Sequence, residues 1–235
     1  MTRRRWIADE VSGNRAALIG DHARHLAQVL RAKVGQEFDL STGAEVRRGK
    51  VTNVHPDRVE FELGEEIPQS ELAQITVAIS IFKFDRMEWA IEKCTELGVA
   101  RIVPVIAGRT EKHLIAAAAR RVERWRRIVQ QASEQSRRTS VPDIAEPIKF
   151  KVLLAVTGET RIVLSEVEQE VMLKDATPKD ANSVLLAFGP EGGWTNQELQ
   201  AFREAGWKSA SLGNTILRAE TAAIAAVAVV GAILQ

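Results

Sequence analysis

The chain has 235 residues, of which 45% are hydrophobic, enough for one large folded domain or two small ones, and this excludes a disordered chain. Its 32 Lys and Arg side chains nearly balance 31 Asp and Glu, so the net charge of +1 does not indicate a nucleic-acid or anionic partner, and local charge must carry that argument. The single cysteine, Cys94, excludes an internal disulfide and favours a reducing compartment.

Strand signals dominate the first part of the chain. Apolar residues alternate with glutamates over residues 59–63, and residues 51–54 precede them across the turn-like segment 55–57, which predicts a β-hairpin. One helix is predicted over residues 22–30, with Asp21 as its N-cap. These elements indicate a small, mostly β unit.

A change of pattern marks the boundary of this unit. Residues 63–74 are polar and contain a proline, and after them strand patterns alternate with helical ones. We therefore place the boundary near residue 70, which predicts two domains, residues 1–70 and residues 71–235.

The second domain shows the alternation that is typical of an α/β protein. Asp85 and Glu88 predict a capping box for a helix that ends at Gly98, and Thr195 with Glu198 predict another. The predicted strands cover residues 75–84, 101–106, 161–165, 183–188 and 208–212, and the other helices cover 112–138 and begin at 220. Such alternation predicts a mostly parallel sheet covered on both faces.

Two further features concern membranes and export. The most apolar stretch, residues 219–234, is interrupted by Glu220 and is shorter than the roughly 20 residues that span a bilayer. No apolar segment of the kind found in secretory signals follows the charged start of the sequence. We expect a soluble, cytoplasmic protein with no membrane partner.

A glycine-rich turn, GPEGG at residues 189–193, lies between a predicted buried strand and the start of a helix. This is the carboxyl edge of the sheet, where α/β proteins bind ligands, and glycines allow a ligand to approach the backbone closely. The spacing fits neither a dinucleotide fingerprint nor a P-loop. By itself the turn is equally well interpreted as a connecting loop.

A second glycine turn, around Gly213, also joins a strand end to a helix start. Arg218, Glu220 and Thr221 cluster at the mouth of a helix that otherwise consists of Ala, Ile and Val. Thr221 or Glu220 capping the helix, and Arg218 pairing with Glu220, would be a purely structural explanation. Two such turns at one sheet edge, each with a charged residue, favour a functional site.

Residues 116–140 concentrate positive charge, with seven arginines against two glutamates. A surface of this kind attracts nucleic-acid phosphates. The alternative is a solvated helix face with ion pairs along the helix. His22 and His25 lie three residues apart without a nearby cysteine or acidic pair, so no metal site is predicted, and Cys94 is predicted to be buried.

The two glycine turns also carry a family resemblance. GPEGG at 189–193 followed by LGNTILRAETA at 212–222 resembles the SPOUT-class RNA methyltransferases, and closely the RsmE family, which methylates N3 of a uridine in 16S ribosomal RNA. Residues 22–43, 83–105 and 124–144 resemble further segments of that family in the same order. Trp194 and Ser136 depart from its usual residues.

The resemblance implies a fold and a cofactor. The fold is an N-terminal PUA-like, RNA-binding β-barrel followed by a C-terminal α/β domain with a mostly parallel sheet and a deep trefoil knot. S-adenosyl-L-methionine would bind inside the knot, held by three loops at strand ends. The implied cofactor-binding residues are Leu164, Ser165, Gly189, Pro190, Gly192, Leu212, Gly213, Ile216 and Leu217.

The resemblance also implies roles in catalysis and RNA binding. Arg218 would stabilise or orient the uracil, and Glu220 or Glu191 would act as base or positioning group, with no choice between them. The implied RNA-binding residues are Arg3, Arg4, Arg5, Arg24, Arg31, Arg137 and Arg138. The expected partners are ribosomal RNA, within the small ribosomal subunit, and a second copy of the chain in a homodimer. Alternatives are another target, transfer RNA or 23S ribosomal RNA, or a non-catalytic RNA-binding assembly factor.

Overall fold

A computed structural model describes residues 5–43, 45–68, 74–136, 138, 140–158 and 160–234. The chain divides into two compact units, Met1–Glu71 with Ser133–Val141 and Leu72–Ala132 with Pro142–Gln235. The boundary predicted near residue 70 lies in 69–73, outside the described residues. The grouping of Ser133–Val141 with the first unit has no counterpart in the sequence pattern, because it arises from contacts between segments distant in the chain.

The first unit is built on a six-stranded sheet with the order β1-β4-β5-β6-β3-β2. Its strands are β1 Arg5–Ile7, β2 Glu10–Ser12, β3 Arg15–Ile19, β4 Glu37–Ser41, β5 Val46–His55 and β6 Arg58–Glu66. The predicted hairpin is confirmed, since β5 and β6 pair antiparallel around the turn that follows His55. Buried side chains including Trp6, Leu18, Leu40 and Phe61 form the core against one face of this sheet.

The predicted helix of this unit is present but begins and continues differently. Helix α1 covers Gly20–Arg24 with Ile19 at the N-cap, and a π-helical segment, His25–Val29, follows it. The prediction of Asp21 as N-cap is wrong, because β3 ends at Ile19 and the helix begins at once, which places Asp21 inside the first turn. There its carboxylate pairs with Arg24 instead.

His22 on α1 is held by two carboxylates of the same unit. Its Nδ1 lies 3.0 Å from Asp9 Oδ1 and its Nε2 lies 2.9 Å from Glu134 Oε1. The hydrogen bonds to Asp9 and then to Glu134 raise the pKa of His22 from 6.5 to about 10, against the opposing effect of burial. Both ring nitrogens are therefore engaged within the protein, and among the described residues no cluster could hold a metal ion.

These pairs should make the stability of the protein depend on pH. Because the folded-state pKa of His22 exceeds its unfolded value, the stabilisation is complete below about pH 6.5 and is lost as the pH rises towards about 10. We expect His22→Gln to lower the free energy of unfolding by about 2 kcal/mol at pH 6 and by much less at about pH 10. Urea unfolding of both proteins at the two pH values measures this, and a difference independent of pH would contradict it.

The second unit contains a wholly parallel sheet with the order β10-β8-β7-β12-β11-β13, and β9 also pairs with β8. Its strands are β7 Gln74–Ser80, β8 Arg101–Ile106, β9 Asp143–Ile144, β10 Ile148–Lys149, β11 Thr160–Leu164, β12 Ser183–Phe188 and β13 Lys208–Ala210. The predicted parallel sheet is thus confirmed. The continuous apolar runs reflect strands that are buried on both faces.

Seven helices of the described residues follow α1. They are α2 Phe84–Glu96, α3 Lys112–Ala118, α4 Val122–Gln135, α5 Phe150–Leu154, α6 Leu173–Ala176, α7 Asn196–Glu204 and α8 Ala219–Ile233. The predicted helix over 112–138 is split by a 3₁₀ turn at Ala119–Arg121 and ends at Gln135. Within the described ranges, no helix has the length and apolarity needed to cross a membrane.

The two predicted capping boxes have different outcomes. That of α7 is confirmed: the Thr195 hydroxyl accepts from Glu198 N at 3.1 Å, and the Glu198 carboxylate accepts from Thr195 N at 2.9 Å. That of α2 is wrong, because this helix begins at Phe84 with Lys83 at the N-cap and no side-chain cap. The strand before it ends at Ser80 rather than at residue 84. Asp85 therefore lies two residues after the N-cap, inside the first turn, where it cannot form the predicted capping box with Glu88.

Candidate functional site

The candidate site is a pocket at the carboxyl edge of three neighbouring strands. Strands β12, β11 and β13 are adjacent and parallel, so the loops that follow them meet at one place. The space of this pocket, including space open to solvent, is about 710 Å³. It is lined by Leu164, Ser165, Glu166, Phe188, Gly189, Pro190, Glu191, Gly193, Ser211, Leu212, Gly213, Thr215, Ile216, Leu217, Ala219 and Ala222.

All of the residues predicted to bind a cofactor line this pocket except Gly192. Gly192 lies between two lining residues, but its carbonyl turns to accept a hydrogen bond from Arg109. Gly193 and Thr215 belong to the two turns that the sequence indicated, whereas the other lining residues outside the predicted set are Glu166, Phe188, Ser211, Ala219 and Ala222. Each lies close in sequence to a predicted one, so wider windows around the same strand ends would have included them.

Two positions of the turn after β12, Gly189 and Gly193, have no room for a side chain. Gly193 has φ 69°, and a Cβ there would overlap the Glu166 carboxylate. A Cβ on Gly189 would lie 3.2 Å from Trp194 N, closer than ordinary contact. Buried Trp194 fixes the turn to the neighbouring strand, since its Nε1 donates to the Leu164 carbonyl at 3.2 Å. The glycines thus serve a close approach between the two loops.

The loop after β13 presents unused backbone groups. Between Leu212 and Leu217, the described chain makes no hydrogen bond through its N–H or C=O groups. Gly213, at φ 122°, has no atom within 4 Å of where a Cβ would lie. Ile216 is 86% exposed, which is unusual for a large apolar side chain. A flat heterocycle that offers both donors and acceptors would satisfy these groups.

The charge of the lining is entirely negative. Glu166 and Glu191 are its only ionisable side chains among the described residues, and no Lys or Arg is present. A cationic ligand centre is therefore favoured inside this pocket and an anionic one disfavoured. An adenosine-containing sulfonium such as S-adenosylmethionine matches the apolar walls, the unused backbone groups and the negative lining together.

A charged cluster adjoins the pocket and was not predicted from the sequence. Arg86, in the first turn of α2, donates through an Nη to Glu191 Oε1 at 2.9 Å, and its Nε lies 3.8 Å from Glu220 Oε1. Arg86 and Glu191 are separated by 105 positions in the chain, so only the fold brings them together. The helix-capping pattern around residue 85 gave no signal for this role.

Arg218 occupies the N-cap of α8 and is exposed. It makes no hydrogen bond or ion pair through its side chain among the described residues, and it does not line the pocket. The structural explanation for Arg218 is not supported, because Glu220 pairs with Arg86 rather than with Arg218, and α8 has no side-chain cap. A free guanidinium therefore stands at the N-terminus of this helix, beside the pocket.

The arginines predicted to contact RNA fall into different environments. Arg24 pairs with Asp21 and with Asp57, which raises its pKa, whereas exposed Arg31 has no partner among the described residues. Arg138 is only 6% exposed, and burial lowers its pKa to about 10. Its Nε donates to the Ser140 carbonyl at 3.1 Å.

Three of the predicted RNA contacts, Arg3, Arg4 and Arg137, lie outside the described residues. Arg5 lies in β1 and is partly buried.

The arginine-rich segment is largely paired internally. Glu88 Oε1 accepts from Arg124 Nε at 2.8 Å and lies 3.4 Å from an Nη of Arg121. Arg126 pairs with Glu123 and with Glu146. The alternative of a solvated, ion-paired helix face thus accounts for much of this charge, and no single stripe of free cations results.

Cys94 is buried, as predicted. Burial alone raises the pKa of its thiol to about 12, so no thiolate is available at neutral pH. A nucleophilic role for Cys94 is excluded on this ground.

Comparison with known proteins identifies the class. A family model described as an RNA methyltransferase domain matches residues 68–231, and one described as an RNA methyltransferase PUA domain matches residues 18–64. The crystal structure of a ribosomal RNA small subunit methyltransferase E from Neisseria gonorrhoeae, bound to S-adenosyl methionine, is similar to this chain with a TM-score of 0.85. It is 33% identical, and the match covers 97% of this chain and 96% of that one. The fold is thus that of an RNA methyltransferase with a PUA domain, which confirms the predicted fold class.

Curated relatives give the particular family. The chain is 36% identical over 219 residues to the ribosomal RNA small subunit methyltransferase E of Synechocystis, covering 90% of this chain and 71% of the relative. It is 30% identical to the protein of the same name from Aquifex aeolicus, covering 95% and 97%. The chain belongs to the ribosomal RNA small subunit methyltransferase E family.

Proposed function

We propose that this protein transfers a methyl group from S-adenosylmethionine to N3 of a uridine in 16S ribosomal RNA of the small subunit. The observation that carries the proposal is the pocket at the edge of β12, β11 and β13, with two carboxylates, no cationic side chain and unused backbone groups in its lining. A relative crystallised with S-adenosyl methionine supports this choice of cofactor.

The residues of the pocket fit this cofactor. The backbone of residues 212–217 offers donors and acceptors to an adenine edge, and Leu212 and Leu217 provide apolar walls. The carboxylates of Glu166 and Glu191, which line the pocket, would favour a positive centre there. When bound, S-adenosylmethionine supplies an electrophilic methyl group attached to a sulfonium.

The remaining chemistry falls to side chains around the pocket. Uridine N3 carries a weakly acidic proton, which must leave, and the negative charge that develops on the base must be stabilised. Among the residues that the structure describes, the Arg218 side chain has no partner, and it carries a permanent positive charge, so it suits the stabilisation of charge on the base. A carboxylate suits the removal of the N3 proton.

The two parts of the chain have separate roles in this proposal. Residues 1–70 form the PUA-like RNA-binding domain and residues 71–235 the methyltransferase domain, with Arg31 as an exposed RNA-contact candidate whose side chain has no partner among the described residues. We place the protein in the cytoplasm, where ribosomes are assembled.

A homodimer is also part of the proposal. Helix α8 is apolar nearly all round, yet only one side of it, including Ala223, Val227 and Val230, is buried within the chain. Its opposite side would be covered by a second copy. Sedimentation equilibrium of the purified protein measures the mass directly, and a monomer at micromolar concentration would contradict this part.

Deletion of the corresponding gene should abolish 3-methyluridine at one position of 16S ribosomal RNA. Mass spectrometry of nucleosides and fragments from purified 16S, 23S and transfer RNA measures this loss and identifies the target. If 3-methyluridine were lost only from 23S or transfer RNA, that RNA would be the substrate and the protein would still be a methyltransferase. Calorimetry provides the control, because a purified protein that does not bind S-adenosylmethionine would favour the non-catalytic assembly factor.

A further inference from the structure

One guanidinium holds two carboxylates at the border of the pocket. Arg86 lies 2.9 Å from Glu191 Oε1 through an Nη and 3.8 Å from Glu220 Oε1 through its Nε. Arg86 itself is about one third exposed, and it projects from the first turn of α2. Because a guanidinium is planar and presents its N–H donors in a fixed arrangement, it fixes the direction of a carboxylate that it binds.

The two carboxylates are not equivalent. The Glu191 side chain is 31% exposed and lines the pocket, whereas that of Glu220 is 5% exposed and does not. Glu220 Oε2 is buried without a hydrogen-bond partner in the described structure. Glu220 also lies in the first turn of α8, where the helix dipole stabilises an anion. Of these two glutamates, Glu191 is therefore the one that a base entering the pocket would meet.

We propose, resting on the proposed function, that Glu191 accepts the N3 proton of the target uridine, that Arg86 positions it, and that buried Glu220 anchors Arg86. Glu191 is then a catalytic residue, while Arg86 and Glu220 are positioning residues. This resolves the choice between the two glutamates that the sequence left open.

The proposed step balances as follows. The N3–H bond breaks, and its proton passes to the free oxygen of the Glu191 carboxylate. The electron pair left on N3 forms the new bond to the methyl carbon, while the bond between that carbon and sulfur breaks with its electrons remaining on sulfur. The sulfonium becomes a neutral thioether, and the proton on Glu191 is later released to water.

Two other charged side chains near the turn at residues 189–193 make contacts that do not involve Glu191. Arg109, from the loop after β8, donates to the Gly192 carbonyl, and Glu166, from the loop after β11, packs against Gly193. Arg218 at the start of α8 has no internal partner among the described residues. Glu166 is therefore the matched control, because it is the other carboxylate of the lining.

The test is the pH dependence of methyl transfer in Glu191→Gln. The amide still accepts a hydrogen bond from Arg86 but cannot take a proton at neutral pH. With small subunits from a strain lacking the enzyme, we expect the single-turnover rate at about pH 7 to fall about 100-fold. The deficit should shrink about tenfold per pH unit up to about pH 9, because hydroxide then removes the N3 proton. Calorimetry should show S-adenosylmethionine affinity within about threefold of wild type.

Two comparisons separate proton transfer from a structural role. Glu166→Gln should alter cofactor affinity but keep the wild-type slope of rate against pH. Arg86→Ala should slow transfer about tenfold, Arg86→Lys should recover part of this, and Arg86→Ala should add little to Glu191→Gln, because both act through one group. Thermal unfolding of each variant excludes a general loss of structure.

These measurements distinguish proton transfer by Glu191 from proton transfer by Glu220 and from a failure of the proposed function. A deficit in Glu191→Gln that is the same at every pH would overturn the proton-transfer role, and a pH-dependent deficit in Glu220→Gln alone would reverse the two glutamates. If the wild-type protein methylates small subunits and Glu191→Gln does so at the same rate, this inference is wrong and the proposed function still holds. Wild type that binds S-adenosylmethionine but methylates no small subunits refutes the proposed function, and this inference with it.

Discussion

Replacing Arg218 by alanine should abolish methylation, with a loss of about 100-fold or more, while S-adenosylmethionine binds within about tenfold of its wild-type affinity. The structure gives the physical reason for this separation. Arg218 does not line the pocket, so the cofactor loses no contact, but its unpaired guanidinium stands beside the pocket where charge would develop on the uracil. Single-turnover methylation of small subunits and calorimetry measure the two quantities.

The fold should tolerate this change. The Arg218 side chain is exposed and makes no hydrogen bond or ion pair within the described residues, so its removal should shift the unfolding free energy by less than about 0.5 kcal/mol. Arg203 is the matched control, since it is also an exposed arginine without a side-chain partner among the described residues, on α7 and outside the pocket. Arg203→Ala should retain full activity. If Arg218→Ala lost S-adenosylmethionine affinity by as large a factor as methylation, Arg218 would have a cofactor-binding or structural role instead.

Replacing Gly213 by valine should weaken S-adenosylmethionine binding by about 10- to 100-fold. Gly213 has φ 122°, a backbone conformation that costs other residues roughly 1–3 kcal/mol, and it lines the pocket. A side chain there either displaces the loop with its unused backbone groups or occupies the space of the ligand. Calorimetry on the purified variant measures the change in affinity.

Gly192→Val is the control that the structure provides for this experiment. The sequence alone predicts the same defect at Gly192 and Gly213, because both belong to glycine turns at strand ends. In the structure Gly192 does not line the pocket, has no positive φ, and would bring a Cβ to 3.4 Å from Arg109 Cδ, an ordinary contact. We expect its affinity to change by less than about threefold. Normal affinity in Gly213→Val would show that the cofactor does not bind at this pocket.

Local patterns in the sequence determined the parallel sheet, the hairpin, the α7 capping box and both glycine turns. Each of these features depends on interactions between residues a few positions apart, or on burial that requires a continuous apolar run. Such features can therefore be predicted directly from the order of residue types. The family resemblance then linked the two turns to one cofactor pocket. The predicted cofactor-binding residues other than Gly192 line the pocket at this sheet edge, and their role in binding stays a prediction.

What only the tertiary structure decided is which charged groups meet. Arg86 looked like part of an ordinary helix start, yet the fold brings it to Glu191 across 105 positions and next to Glu220. Glu88 likewise pairs with arginines of a different segment, Arg121 and Arg124, rather than with the start of its own helix. Hydrogen bonds and ion pairs between distant segments depend on packing, which periodicity does not encode. Burial of Glu220 and exposure of Arg218, two residues apart, are likewise set by what packs against the start of α8.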